Sequence, residues 1–537
     1  MPKYLIVFSL VLSSVACDRE GGSERDSLRH IAPSTLRKGN GAEPQTLDPH
    51  KAEGVPASNI LRDLFEGLII EAPDGTLVPG VAKSWEISPD GKRYTFHLRP
   101  TAHWSNGDPL VAEDFAFALR RSVDPSTGSK YSQILSPIVN ADVVIIGEKS
   151  TETLGVNVVN QHTLEIMLNA PTSYFLGLLT HSSTYPVHRE SINRHGNKFT
   201  RPGNLISNGA YQLEDWIIQS HITLKRNPNY WDADNTSIDR VIYYAIDDQT
   251  AELRRYRAGD IDWTDAVPLT QIRWIRKHLP KELKVSPYIG TYYYGFNLTK
   301  PPFKDNLALR KALSMAIDRE IIVDKMTALG EAPAYGWVPL GIVGYSSQSL
   351  SYQDLDSELR HSEAERLYQQ AGYSRDNPLT VELRYNTSEN HKKIALVVAA
   401  MWKKYLGVHT VLINEEWKVF LNNRKQRSVT QIFRSGWIGD YNDATTFLSL
   451  MGSRHGINDS GYNNPVYDDL LEKAAGKGDP LQRRHLLEDA EKLMLRDHPI
   501  IPLYFYVSKS LIKPHVKGYM GNLMDHHYTK HYRLELR

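Results

Sequence analysis

The sequence predicts a multi-domain α/β protein, and three observations carry that prediction. A chain of 537 residues is too long for one hydrophobic core and divides into two or three domains. Residues 379–417 read as strand, helix, strand, and residues 81–115 read as a tight meander feeding a helix. In the first unit Leu379–Tyr385 is a strand, Ser388–Leu406 a helix closed by Gly407, and Val408–Asn414 a second strand. A unit of this length requires a right-handed parallel crossover. In the meander, Trp85–Ser88 and Arg93–Leu98 are strands around Pro89-Asp90-Gly91-Lys92, whose Asp-Gly pair suits the positive φ of a hairpin. A second turn, Ser105-Asn106-Gly107-Asp108-Pro109, leads into a helix opening at Ala112.

The remaining elements follow in order. Ser58 caps a helix through Ile60, Leu61, Leu64 and Phe65, ended by Gly67. A polar, weakly periodic region runs from the meander to about residue 190. Asn208–Tyr230 alternates into strands, and Thr250–Gly259 is a helix with a glycine stop. Lys284–Asn297 is strand-like and suits a crossing point between domains. Asp305 caps an amphipathic helix, Ala308–Ala328, with Gly330 behind it. Ile432-Phe433-Arg434 is a further strand. Ligands of open α/β sheets gather outside the carboxyl ends of the strands. That rule points to Asn386 and His391, to Glu415 through Trp417, and to Arg434 through Asp440. There is no internal repeat and no low-complexity tract.

Composition excludes several function classes. Apolar residues at 41% and charged residues at 23% are ordinary for a globular protein, and 63 basic against 62 acidic side chains leave a net charge of +1. No basic cluster alternates with aromatics, so a nucleic-acid partner is not expected. Twenty-nine tyrosines and ten tryptophans supply rings for cores or for a ligand cavity. At the N-terminus, Lys3 precedes the apolar run Tyr4–Val15, which has the shape of a signal peptide and is too short to span a bilayer. Cys17, the single cysteine, follows small residues in a pattern that resembles a lipoprotein lipobox, although Ser14 departs from it. The chain is expected to be exported, without disulfides, and tied to a membrane only if Cys17 is acylated.

Enzyme signatures are missing: there is no H-E-x-x-H, no G-x-S-x-G and no P-loop. Asp525-His526-His527 with His531 fits no common metal spacing and reads as a solvated loop. Asp260 and Asp262, two residues apart, do not describe a glycosidase dyad. Arg434-Ser-Gly-Trp437-Ile-Gly-Asp440-Tyr441-Asn442 is different. A carboxylate between Trp and Tyr, flanked by glycines, suits a buried anchor for a cation. A surface turn capped by Asp440 is the other reading of the same residues.

These segments, taken in order, are similar to the oligopeptide-binding branch of the family 5 extracytoplasmic solute-binding proteins that feed ABC importers. The resemblance rests on the meander, on LDPHKAEGVP (47–56), TYYYGFN (291–297), YNTSENHKKIA (385–395) and GW..DYN (436–442), and on IPLYFYV (501–507). It runs from about residue 38 to the end. It implies a bilobal periplasmic-binding-protein fold, type II-like and of cluster C, with an extra third domain and the ligand enclosed between the lobes. The leader would be 1–17 and the tether 18–27. Lobe I would comprise 28–65, 190–289 and 506–537, the inserted domain 66–189, and lobe II 290–505, with a hinge near 289 and 505. The implied ligands are short peptides, held without cofactor or metal by a monomer that delivers them to permease subunits. Asp440 would hold the peptide amine. Lys325, His391, Arg424 and Arg434 would meet its carboxylate, and Tyr131, Trp417 and Trp437 would line side-chain pockets. Glu53 and Val55 would lie on a strand that pairs with the peptide backbone. Two departures stand out. Gly295 replaces an acid of a side-chain subsite, and Gly290 with Ile438 replaces a cysteine pair. A murein peptide or another non-linear ligand is the alternative, and an exported hydrolase a more distant one.

Overall fold

The computed structural model describes residues 34–342 and 344–535. The leader, the tether and Cys17 lie outside the described residues. Three main sheets organise the chain. In the first, Thr35–Gly39 runs parallel to Arg240–Tyr244, which continues antiparallel through His221–Arg226 to Tyr211–Ile217. Leu36, Leu224 and Val241 of these strands are fully buried with Ile60, Leu61 and Leu64 of the helix Val55–Leu64.

The second sheet is the meander, extended to four antiparallel strands: Ala82–Ile87, Arg93–Leu98, Thr163–Met167 and Val156–Asn160. Alternation along Arg93–Leu98 turns Tyr94, Phe96 and Leu98 inward. They meet Trp104 and Phe115, the latter from the helix Ala112–Val123. The weakly periodic region up to residue 190 thus completes this sheet with two real strands.

The third sheet has six strands in the order Ala332–Pro333, Ile500–Leu511, Leu283–Phe296, Ile432–Ile438, Thr380–Asn386, His409–Glu415. The last two are parallel and joined by the helix Glu389–Leu406. This is the crossover expected from sequence, with each strand displaced by one residue. The helix forms where it does because Ser388 Oγ accepts the His391 amide at 3.3 Å, and Gly407, at φ 79°, supplies the left-handed turn that ends it.

The first and third sheets belong to two lobes, and the second to an extra body beside them. Leu283–Phe296 and Ile500–Leu511 pass between the lobes as a pair. One end packs with Leu253 and Tyr256, and the other lies in the core of the third sheet. Their ladder loses register between Pro287 and Thr291. Two glycines let the sheet close around a ring there: a Cβ on Gly436 would lie 2.4 Å from Tyr506 Oη, and one on Gly290 2.5 Å from Ile438 Cδ1.

Three expectations change. The first helix begins at Val55 rather than Ser58, because Gly54 at φ 83° turns the chain and Pro56 occupies its first turn. It ends at Leu64, with Phe65 already extended. The helix read as Ala308–Ala328 is two. Leu307–Met315 is capped by Asn306, whose Oδ1 accepts the Leu309 amide at 3.1 Å, and the chain restarts at Arg319. Side chains end the first segment: Arg360 donates to the carbonyls of Met315 and Ile317 at 2.5 and 2.7 Å, and fully buried Arg319 donates to that of Ser314. These guanidiniums take carbonyls that a continuing helix would use. Finally, Asp525-His526-His527 is no solvated loop. His526 is buried with Nδ1 2.7 Å from Glu71, and His527 pairs with Asp525 at 2.8 Å.

Candidate ligand-binding cleft

A cavity of about 420 Å³ lies between the lobes. The carboxyl ends of Thr380–Asn386 and Ile432–Ile438 and the amino end of the helix Glu389–Leu406 form one wall. The loop and helix around Glu53–Arg62 form the other, together with residues near Asp247 and Asp265. Tyr131 and His181 of the extra body close one end.

Asp440 follows the strand Ile432–Ile438 and is held by its neighbourhood. Its amide donates to Thr446 Oγ1 at 2.9 Å, and that hydroxyl lies 3.4 Å from Oδ2. His181 Nε2 lies 3.5 Å from Oδ1. The Ser183 amide donates to His181 Nδ1, so the proton of the neutral ring sits on Nε2 and faces Asp440. Burial, then the charge of Arg62, pushes His181 down to about 3, which leaves it neutral. Burial pushes Asp440 up to about 7, offset in part by Thr446 and by Arg62. Among the described residues, no lysine or arginine pairs with this carboxylate. With its side chain 15% exposed, the carboxylate is largely enclosed, which does not suit a surface turn.

Arg434 is the opposite case. It donates to Tyr506 Oη at 2.8 Å and to Asn386 Oδ1 at 3.3 Å, and lies 4.7 Å from the Tyr292 ring, with no carboxylate partner among the described residues. His391, in the first helical turn beside it, is held well below its ordinary pKa by burial and by Arg434. It offers a neutral imidazole. Arg424 also lines the cavity, but Asp459 neutralises it at 2.5 Å. Lys325 does not join these residues: it is exposed, and outside the cavity wall.

The aromatic positions converge. Tyr131 stacks on Trp437 with ring centres 6.2 Å apart and meets the His181 ring at a tilt, 4.6 Å away. Trp417 opens the helix Trp417–Gln426 and packs against Gly54, where a Cβ would lie 2.9 Å from Cζ2. Its buried indole N–H has no acceptor among the described residues. Glu53 and Val55 reach the cavity, but not from a strand. Glu53 sits in the loop before the first helix and forms an ion pair with Lys425 of the opposite lobe, and Val55 is the first helical residue. Gly295 is not at the cavity either. It is buried against Phe433, whose Cζ would lie 2.1 Å from an added Cβ. Sequence reasoning missed His181, Arg62, Asp247 and Asp265, which stand in segments without a readable motif.

Two lobes closing on a cavity whose wall holds both acidic and basic side chains without partners of opposite charge define a solute-binding protein. The chain belongs to the bacterial extracellular solute-binding proteins of family 5, whose profile matches residues 76–459. It is 43% identical over 500 residues to the periplasmic oligopeptide-binding protein OppA of Escherichia coli K12, covering 92% of both chains. It superposes on the Haemophilus influenzae OppA complex with RPPGFSPFR at a TM-score of 0.91, with 39% identity, 94% of this chain and 99% of the other covered. The murein tripeptide-binding protein MppA of E. coli gives 0.91 at 38% identity, over 94% and 99%. An unliganded open form of MppA gives only 0.65 at the same identity, over 94% and 98%. Equal sequence similarity with unequal superposition comes from lobe placement, so this chain adopts the closed arrangement.

Proposed function

We propose that this protein is the substrate-binding component of an ABC importer that captures short oligopeptides in the periplasm and delivers them to membrane permease subunits. The observation that carries the reading is that one enclosed cavity holds a carboxylate and a guanidinium that each lack a partner of opposite charge. Asp440 lacks a cation and Arg434 lacks an anion, and a free peptide supplies both at its two ends. An ammonium–carboxylate contact shielded from water is among the stronger polar interactions. Asp440 takes the amine, with the His181 N–H beside it, while Arg434 and His391 take the carboxylate. Arg424, already matched by Asp459, tunes the field rather than pairing with the ligand. Tyr131, Trp417 and Trp437 bound roomy side-chain space in which water adapts the fit. The protein captures and performs no chemistry.

The lobes comprise 28–65, 190–289 and 506–537 on one side and 290–505 on the other, with 66–189 inserted. The hinge is the register break beside Tyr506. Acylation at Cys17 would keep a monomer near its permease. Calorimetry with a tripeptide tests the anchor: Asp440→Ala is expected to cost about 3 kcal/mol, roughly a hundredfold in affinity, because an ammonium is left buried and unpaired. N-acetylation of the peptide should cost a similar amount in the wild type. Near-normal affinity in both experiments would remove the anchor assignment.

A further inference from the structure

The near-neutral balance of the chain hides a local excess of positive charge on the outer side of the first lobe. Residues 254–284 hold eight lysines and arginines against four carboxylates. The fold takes three of those carboxylates out of play. Asp262 is buried against Arg37 at 3.1 Å, and Asp265 lines the ligand cavity. Glu282 accepts the Tyr256 hydroxyl at 2.5 Å and lies 3.5 Å from Lys513. Asp260 is left, exposed just past the end of the helix Gln249–Ala258.

The cations are not compensated in this way. Leu253 and Tyr256 of that helix pack inward with Ile272 and Ile275 of the helix Ile272–His278. The helical period therefore turns Arg254 and Arg257 outward on one helix, and Arg273, Arg276 and Lys277 on the other. The Arg257 guanidinium lies 4.4 Å from the Trp274 ring, which joins the two faces, and His278 stacks on the same ring at 4.6 Å. Lys281 and Lys284 carry the face on to the strand Leu283–Phe296. None of these cations forms an ion pair among the described residues. Arg276 and Lys284 donate to backbone carbonyls instead, those of Ala328 at 2.7 Å and Lys281 at 3.0 Å. Asp324 and Lys325 of the other lobe, both exposed a few positions before Ala328, offset each other.

The face has charge but no apolar centre. Along residues 249–285, Val285 is the one large apolar side chain that is exposed, and none of the cations lines the ligand cavity. A protein partner needs an apolar core to its interface. A layer of anionic headgroups needs cations alone, each of which adds about fivefold to binding near its surface.

We infer that this face, centred on Arg257, Arg273, Arg276, Lys277 and Lys281, docks on an anionic phospholipid bilayer, whose phosphates stand where carboxylate partners are missing. The docking is independent of what the cavity binds. Flotation of the full chain with protein-free vesicles tests it, using phosphatidylcholine alone or with about one-third phosphatidylglycerol. At low salt the anionic vesicles should bind about tenfold or more tightly than the neutral ones, and about 0.5 M salt should abolish the difference. An acyl chain at Cys17 would act on both vesicle types alike. Arg273→Gln/Lys277→Gln/Lys281→Gln should lower the preference by about tenfold or more, with an unchanged melting temperature. Lys83→Gln/Lys198→Gln/Lys477→Gln removes the same charge from exposed positions elsewhere and should leave the preference intact. Equal binding of the wild type to both vesicles would overturn the docking face. So would an equal loss in the two variants, which would reduce it to net charge. Binding to polyglutamate with none to anionic vesicles would overturn it in favour of an acidic protein partner.

Discussion

Asp440 makes opposite demands on folding and on binding. Its folded pKa, about 7, lies above that of an unfolded aspartate. The stability tied to this group is therefore fully present below the unfolded value and is lost as pH rises through about 7. Binding an ammonium requires the carboxylate, so peptide affinity should fall by roughly tenfold per pH unit below about 7. Ligand-free melting temperature should rise over the same interval. Calorimetry and thermal melts between about pH 5 and 8 check both, and Asp440→Asn should flatten both profiles. Profiles unchanged in that variant would move the titration to another raised group, such as Asp265, at about 6. Asp440 was legible because its own neighbours, Trp437, Gly439 and Tyr441, describe a buried turn. His181 was not: its role comes from a contact 259 positions away in sequence, and no local pattern encodes that.

At the scale of single elements, the long strand Leu283–Phe296 resolves the anomaly at Gly295. Read alone, the glycine suggested a missing subsite charge. In the sheet it pairs with Phe433, whose ring lies where a side chain would project. Gly295→Glu is therefore expected to cost about 1–3 kcal/mol through overpacking. Adding Phe433→Ala should recover part of the loss by making room, and urea denaturation of both variants checks the sequence of effects. A Gly295→Glu protein as stable as the wild type would mean that the ring moves aside at no cost. Helix limits were legible where the cap is local, as at Ser388 and Gly407. They were misread at Asp305–Ala328, where the carbonyls that end the helix are taken by Arg360, a residue more than forty positions away.

The whole molecule is held closed by contacts between lobes. Lys425 pairs with Glu53 and Lys418 with Glu43 at 3.6 Å, Gln249 bonds Ser388, and Asn390 Nδ2 donates to the Val267 carbonyl at 3.2 Å while its Oδ1 accepts the Leu269 amide. Lys425→Met leaves Glu53 buried without its cation in the closed form. It should shift the ligand-free protein toward an open form by about 1–3 kcal/mol. Small-angle scattering should then show a larger radius that peptide restores, with affinity reduced in proportion to the closed population. An unchanged radius and affinity would make the pair incidental. By itself the sequence determined the α/β class, the parallel crossover, the meander and the family, because alternation, capping residues and glycine turns act within a few positions along the chain. It also singled out the Arg434–Asp440 segment. Only the tertiary structure decided which charges are left unpaired. It matched Arg424 to Asp459, drew Glu53 to Lys425, left Lys325 outside the cavity, and turned Asp265 toward the ligand space without a partner. Compensation between charges depends on distance in space, and a linear pattern carries that distance only where the partners are also neighbours in sequence.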